Sequence, residues 1–245
     1  PIVSGFTLAG KSYTDLESKL NTFRGLLKDS APSAEELNKQ VTELGTSSQK
    51  TAVEYGIAGT KIRDGMEEMI KKGFTFNQTV GAMPSVLKAT TASGDDFNAV
   101  MEVTAGTIEQ FGLKVDDTEQ MLKNTERVTS DITFVANKTS SGFADLGEAM
   151  QNVGTKASLN NQTLEDTISI LGVLSNANIK GGEAGTYLMN AIENLANPTK
   201  EAQKGIKALG LQVYDTNGKM KPMPQLLEDI EKATANMTDE QKNAY

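Results

Sequence analysis

The chain has 245 residues, a formal net charge of −8, and neither cysteine nor histidine. Those absences exclude disulfides, thiol nucleophiles and imidazole, the commonest general base and metal ligand. The acidic balance argues against a surface that neutralises phosphates, and no run approaches the ~18 consecutive apolar residues of a membrane span.

Leu16, Leu20, Phe23 and Leu27 recur at helical spacing and predict an amphipathic helix over 14–29. Ala31-Pro32 interrupts it, and Ser33 with Glu36 forms a capping-box pattern for the next helix. That helix carries Leu37, Val41 and Leu44. It is expected to meet a polar break at Gly45–Ser48 and to resume from Val53 to Ile70, with Gly73 as its stop. Thr75 and Gln78 make a second capping box, for a helix that contains Pro84 and fades at Ser93-Gly94. Asp95-Asp96 and Asp116-Asp117 each open a helix, where carboxylates suit the positive end of the dipole. In the second of these, residues 116–138, Met121, Thr125, Val128, Ile132 and Val135 lie on one stripe. Two heptads are short for a coiled-coil seam, so the stripe reads first as a buried face.

Gly142-Phe143 starts a further helix, and Asn161–Thr163 cap the one after it, with Leu164, Ile168, Leu171 and Leu174 inward. Beyond Pro198, Thr199 starts a short helix through Ala202, Ile206 and Leu209, closed by Gly210. Leu211–Asp215 and Lys219–Pro222 flank Thr216-Asn217-Gly218. Asn-Gly supplies positive φ, so one small β-hairpin is expected near residues 211–222. Pro224 starts another helix, and Thr238 with Gln241 caps a last one. The fold class is therefore mainly α, a multi-helix domain of short helices with one hairpin. Its expected divisions are an amphipathic lead at 1–45, a helical core at 46–198, and a helix, hairpin and C-terminal helices at 199–245. A chain that opens on Pro1 and stops at Tyr245, inside a new helix, reads as a piece of something longer.

Candidate chemistry is thin. Gly181-Gly182-x-x-Gly185-Thr186 sits at a helix start but lacks the lysine of a P-loop, so close backbone packing explains it. Asp215-x-Asn217-x-Lys219 puts Met220 and Leu226 where a calcium loop needs Gly and Glu. The adjacent acids Glu67-Glu68, Asp95-Asp96, Asp116-Asp117 and Glu228-Asp229 read as helix caps and solvated faces, not as a glycosidase pair. No catalytic, cofactor-binding or metal residue is assigned, and no cofactor is expected.

The most distinctive stretch is 173–230. Ser175-Asn176-Ala177-Asn178-Ile179, Gly182-Glu183-Ala184-Gly185-Thr186 and Leu195-Ala196-Asn197-Pro198-Thr199 follow one another there. Ala208-Leu209-Gly210, Asp215-Thr216-Asn217-Gly218-Lys219 and Met223-Pro224 complete it. Together these resemble the core region of bacteriophage tail tape measure proteins, and Tyr55–Thr60 looks like that family's entry segment. The resemblance implies a structural virion protein in the tail-tube lumen, one that sets tail length and leaves ahead of the DNA. It implies as partners its own copies, tail tube and tail tip or baseplate proteins, and tail assembly chaperones, with no direct nucleic-acid binding by this segment. Ser175, Asn176, Ala177, Gly182, Ala184, Gly185, Thr186, Pro198, Gly210, Asp215, Asn217, Gly218 and Pro224 are then packing and turn positions. The rival readings are a cytoplasmic helical scaffold and a carboxylate-dependent cell-wall hydrolase.

Overall fold

The computed structural model describes residues 2–242, with side chains from residue 14 onward. Among the described residues twelve helices follow one another: α1 (Ile2–Leu27), α2 (Ala34–Tyr55), α3 (Gly59–Lys71), α4 (Phe76–Ser93), α5 (Phe97–Gln110) and α6 (Thr118–Ala136) come first. The rest are α7 (Phe143–Leu159), α8 (Leu164–Asn176), α9 (Gly181–Ala196), α10 (Lys200–Ala208), α11 (Met223–Thr234) and α12 (Asp239–Lys242). The mainly α expectation holds, and no helix is long and apolar enough to cross a membrane among the described residues.

The expected hairpin does not form. Residues 211–222 hold a single antiparallel bridge, Tyr214 to Met220, and no strand occurs among the described residues. Lys221 N–H donates to Val213 O at 2.9 Å and Asp215 N–H to Lys219 O at 2.8 Å, and the ladder ends there. Side chains take the groups that would extend it: the Met223 N–H donates to Gln162 Oε1 at 2.6 Å, and Gln162 Nε2 donates to Lys221 O at 3.2 Å. On the outer edge Asn161 Nδ2 donates to Met220 O at 2.9 Å. Within the turn only Gly218 has positive φ (+76°), with its N–H donating to Asp215 O at 3.1 Å. The Asp215 carboxylate accepts from the N–H groups of Asn217 and Lys219, which organises the turn without a second left-handed residue.

Helix ends share one device. Gly73, Gly112, Asn161, Asn178 and Gly210 all take the left-handed conformation. In each case the following N–H reaches back to the carbonyl five residues earlier, as Phe74 does to Met69 O at 3.0 Å and Ile179 to Leu174 O at 3.0 Å. This is the Schellman closure of orphan carbonyls. At the starts, Ser33, Thr75, Thr163 and Thr199 each accept a backbone N–H. Thr75 and Gln78 form a full reciprocal box, whereas Ser33 and Glu36 form only the forward half.

The chain forms two compact units. The first comprises the residues up to Ala105 with Lys114–Thr129; the second comprises Gly106–Leu113 with the residues from Ser130 onward. In the first, α2 runs unbroken through Gly45–Ser48, against expectation. The hydroxyls there bond back onto the helix, Ser48 to Gly45 O at 2.7 Å and Thr46 to Thr42 O at 3.1 Å, so the polar run is satisfied in place. Gly45 leaves room for Leu20 of α1, whose Cδ2 stands 3.0 Å from where a Cβ would be. The break falls instead at Gly56, left-handed at φ +66°. Phe23, Leu44, Ile62, Met66 and Met69 are fully buried and form the centre of this unit. Lys19 bridges Asp64 (2.9 Å) and Glu67, and Lys71 reaches Glu67 at 2.7 Å. Burial pushes the Glu67 carboxyl up, but hydrogen bonds from Lys19 and Lys71 outweigh it and hold the group below its ordinary range. Hydrogen bonds to Glu67 and Glu68 raise the Lys71 ammonium to about 12.

Of the stripe on α6, Met121, Thr125, Val128 and Ile132 are buried and Val135 is half-buried. The chain covers this face itself, so the stripe is a core face and not an open seam.

Candidate functional site

The second unit is organised on α7, α8 and α9. The α8 register places Leu164, Ile168, Leu171 and Ser175 inward, and Asn178 closes the helix in the left-handed region. The chain then re-enters a helix at Gly181. Contacts from α7 to α9 advance in the same direction along both helices. Glu148 lies against Gly181 and Gly182, Asn152 Nδ2 donates to Gly182 O (2.8 Å) and Thr186 Oγ1 (3.2 Å), and Lys156 pairs with Glu193 at 3.3 Å. The two helices are therefore parallel, with α8 as the return between them.

Their nearest approach is at Gly185. A Cβ there would stand 2.8 Å from Ala149 C and 2.9 Å from Ala149 Cα, and nearer still to the Ala149 carbonyl oxygen. The obstacle is main chain, which cannot rotate away, so the site accepts only glycine. Ala149, Val153 and Ala157 on α7 and Ala184, Leu188 and Ile192 on α9 are buried around it. Small residues let the backbones close, and the larger buried ones fill the flanks.

A polar corner ties this crossing to the α6–α7 connection. Ser175 Oγ accepts from Ser141 Oγ at 2.7 Å, and both residues are buried. Asn176 Oδ1 accepts from the Ser140 N–H and hydroxyl, both at 3.1 Å, and Lys180 Nζ donates to Ser140 O at 2.5 Å. Ala177 is the C-cap of α8. The structure thus brings Ser175, Asn176, Ala177, Gly182, Ala184, Gly185 and Thr186 into one corner and crossing.

The remaining motif residues lie apart from it. Pro198 separates α9 from α10, and Gly210 ends α10 at φ +68°. Asp215, Asn217 and Gly218 form the exposed turn, and Pro224 sits in the first turn of α11. Sequence reasoning missed Ser140, Ser141, Glu148, Asn152 and Gln162. Gln162 is buried and joins three segments: its Nε2 donates to Asn160 O (2.8 Å) and Lys221 O, and its Oε1 accepts from Met223 N–H at 2.6 Å. No local signal marks such a residue, because every partner but Asn160 is about sixty positions away.

The corner and the crossing are built from close packing and hydrogen bonds. The α9 N-terminus, where an anion would sit, already faces the Glu148 carboxylate. The adjacent acids are engaged locally: Asp96 with Lys61, Glu228 with Lys232, Asp229 with Lys221, and Asp117 on the Gln120 N–H. Among the described residues no group of three carboxylates gathers around a metal-sized point.

The sequence pattern of the family described as "Phage-related minor tail protein" matches residues 11–245, nearly the whole chain. The chain belongs to that family. The tape measure protein of Pneumococcus phage Dp-1 is 32% identical over 212 residues, covering 86% of this chain and 18% of that protein. The probable tape measure protein of Escherichia phage P2 is 25% identical over 224 residues, covering 91% and 26%. The chain therefore spans about a quarter or less of the length of either relative. No solved structure matches it.

Proposed function

We propose that this chain is a folded module of a tail tape measure protein, structural and not catalytic, housed in the lumen of the tail tube. In this reading the protein sets tail length during assembly and leaves ahead of the genome. The observation that carries the proposal is the family match over residues 11–245, joined to two relatives that bear the tape measure name. Its partners in this role are its own copies, the tube and tip or baseplate proteins, and tail assembly chaperones.

Helix length argues that this module is not the ruler. At ~1.5 Å per residue a measuring helix needs a long uninterrupted rod. Here the longest helix has 26 residues and the next 22, and left-handed residues or prolines follow most of them. The length-setting segment is therefore assigned to other parts of the protein. The comparisons do not favour a hydrolase.

The test is an antibody against residues 173–230, used on purified particles under protease before and after triggered DNA release. Protection before release and loss afterwards is the expected pattern. Digestion from the start would place the segment outside the tube, and absence from particles would leave the cytoplasmic scaffold as the reading.

A further inference from the structure

A hollow of about 310 Å³ lies where α1 meets α3 in the first unit. Asp15, Lys19 and Thr22 line it from α1, and Thr60, Arg63 and Asp64 from α3. That volume is at the small end of ligand sites, and a lining of polar and charged residues suits a small charged molecule. Arg63 is the residue that an ordinary solvated surface does not explain. It is 5% exposed, its Nε reaches no acceptor, and its one hydrogen bond among the described residues runs from Nη1 to Ser48 Oγ at 3.4 Å. The nearby acids are held by another cation, since Lys19 bridges Asp64 and Glu67. Burial lowers the guanidinium below its ordinary value, and the charges of Asp64 and Asp15 oppose that only in part. A buried cation without a counter-charge is costly to a fold.

The surroundings say what would meet it. Helix α3 starts on Ala58 with no side-chain cap, so the N–H groups of its first turn add positive potential there. The guanidinium folds back to that same end, with Nη1 standing 3.0 Å from where a Cβ of Gly59 would be. A negatively charged acceptor is therefore drawn to the α3 wall of the hollow. On the α1 wall, Asp15 is exposed and makes no hydrogen bond or ion pair among the described residues. With Lys19 and Asp64 matched to each other, one cation and one anion remain unmatched, Arg63 and Asp15. A plain anion would satisfy Arg63 but face Asp15, and a plain cation would leave Arg63 as it is.

We infer that this hollow binds a small zwitterion, a free α-amino acid, with its carboxylate against Arg63 and the α3 N-terminus and its ammonium toward Asp15. Both ends then make charge-assisted hydrogen bonds, the stronger kind, and the Thr22 and Thr60 hydroxyls can accept from or donate to either. A nucleotide fits less well, because its phosphates would face the Asp15 and Asp64 carboxylates in the same hollow. A bound amino acid would bridge α1 and α3 and stabilise the first unit by mass action. The inference concerns residues of the first unit and does not rest on the tail-length role.

The experiment titrates L-alanine into the isotope-labelled chain and follows backbone amide shifts by NMR. Propionate and ethylammonium serve as comparison ligands, each carrying one of alanine's two charges. The expected result is saturable shifts centred on residues 15–22 and 60–64, with alanine bound about fivefold or more tighter than either comparison ligand. Asp15→Asn should weaken alanine about threefold or more while propionate binds as well as before or better. That split separates a ligand contact from a general loss of structure. Arg63→Gln should weaken both alanine and propionate; if that buried variant does not fold, the exposed Asp15→Asn still decides. Asp29→Asn, beyond the other end of α1, leaves binding as it was. Absence of saturable shifts overturns the inference, as does an Asp15→Asn variant that binds alanine like the parent. Propionate binding as tightly as alanine would make the hollow a plain anion site, and likewise overturns it.

Discussion

The α7–α9 crossing and helix α10 lie in the same unit and follow one another in sequence, yet they are held in opposite ways. The crossing is main chain against main chain at Gly185 and Ala149, flanked by buried Val153, Leu188 and Ile192. Helix α10 presents an equally regular apolar stripe, but none of its residues is buried, and Pro198 and Gly210 flank its two ends. Amphipathic periodicity therefore does not measure how firmly a helix is held. What separates the two is the facing surface, and in the crossing that surface is a backbone which only small residues can approach.

Substitutions at the two sites should differ accordingly. Gly185→Ala is expected to cost the most, about 3 kcal/mol or more, because the new methyl overlaps a carbonyl that cannot rotate aside. Chemical denaturation measures it, and a loss below about 1 kcal/mol would mean that the helices part easily. Ile192→Ala should follow at about 2–5 kcal/mol, the usual range for emptying a buried site, while Ile206→Ala on α10 costs less than about 1 kcal/mol. Hydrogen exchange gives the same ranking residue by residue, with α10 amides the faster; equal protection in both helices would erase the contrast.

Gln162→Ala tests the clamp that holds residues 221–223. Three hydrogen bonds at a buried amide predict a loss of about 2 kcal/mol, against no measurable change for exposed Gln225→Ala. The smallest expected effect is a pH control in the other unit. The Glu67 carboxyl is held below its ordinary value of 4.5, so its stabilising share is present above that pH and is lost as pH falls through the lower folded-state value. Glu67→Gln should flatten this acid limb in a stability-versus-pH profile. Gly185→Ala should lower the whole curve and leave the limb's shape intact.

Local chemistry was legible in the residues, and long-range chemistry was not. Ser33, Thr75, Thr163 and Thr199 announce helix starts, and Gly73, Gly112 and Gly210 announce ends, because caps are settled within a turn of chain. Asn161 and Asn178 take the same left-handed role but give a weaker signal, since asparagine also caps helix starts. Gly45–Ser48 looks like a break until Leu20 is seen filling the glycine notch and the hydroxyls are seen bonding backward. Asn217-Gly218 correctly marks a turn, but the distant Gln162 takes the groups from which a ladder would grow. At the crossing the small residues 182–186 pointed to close packing. Their counterpart Ala149, together with Asn152 and Glu148, stayed hidden because nothing in the sequence pairs the two helices.

The parallel course of α7 and α9 has a mechanical consequence. A pull applied between the start of α7 and the end of α9 acts along both helix axes, in opposite senses. It therefore loads Gly185, Asn152 and the buried side chains together in shear, not one after another. Tension entering from the C-terminal side meets α12 first, then α11 with its buried Met223 and Leu226 and the Gln162 clamp, and then α10, which has no buried residue. A chain drawn out by its C-terminal end would lengthen in small early steps and then resist at the crossing until it yields as a whole.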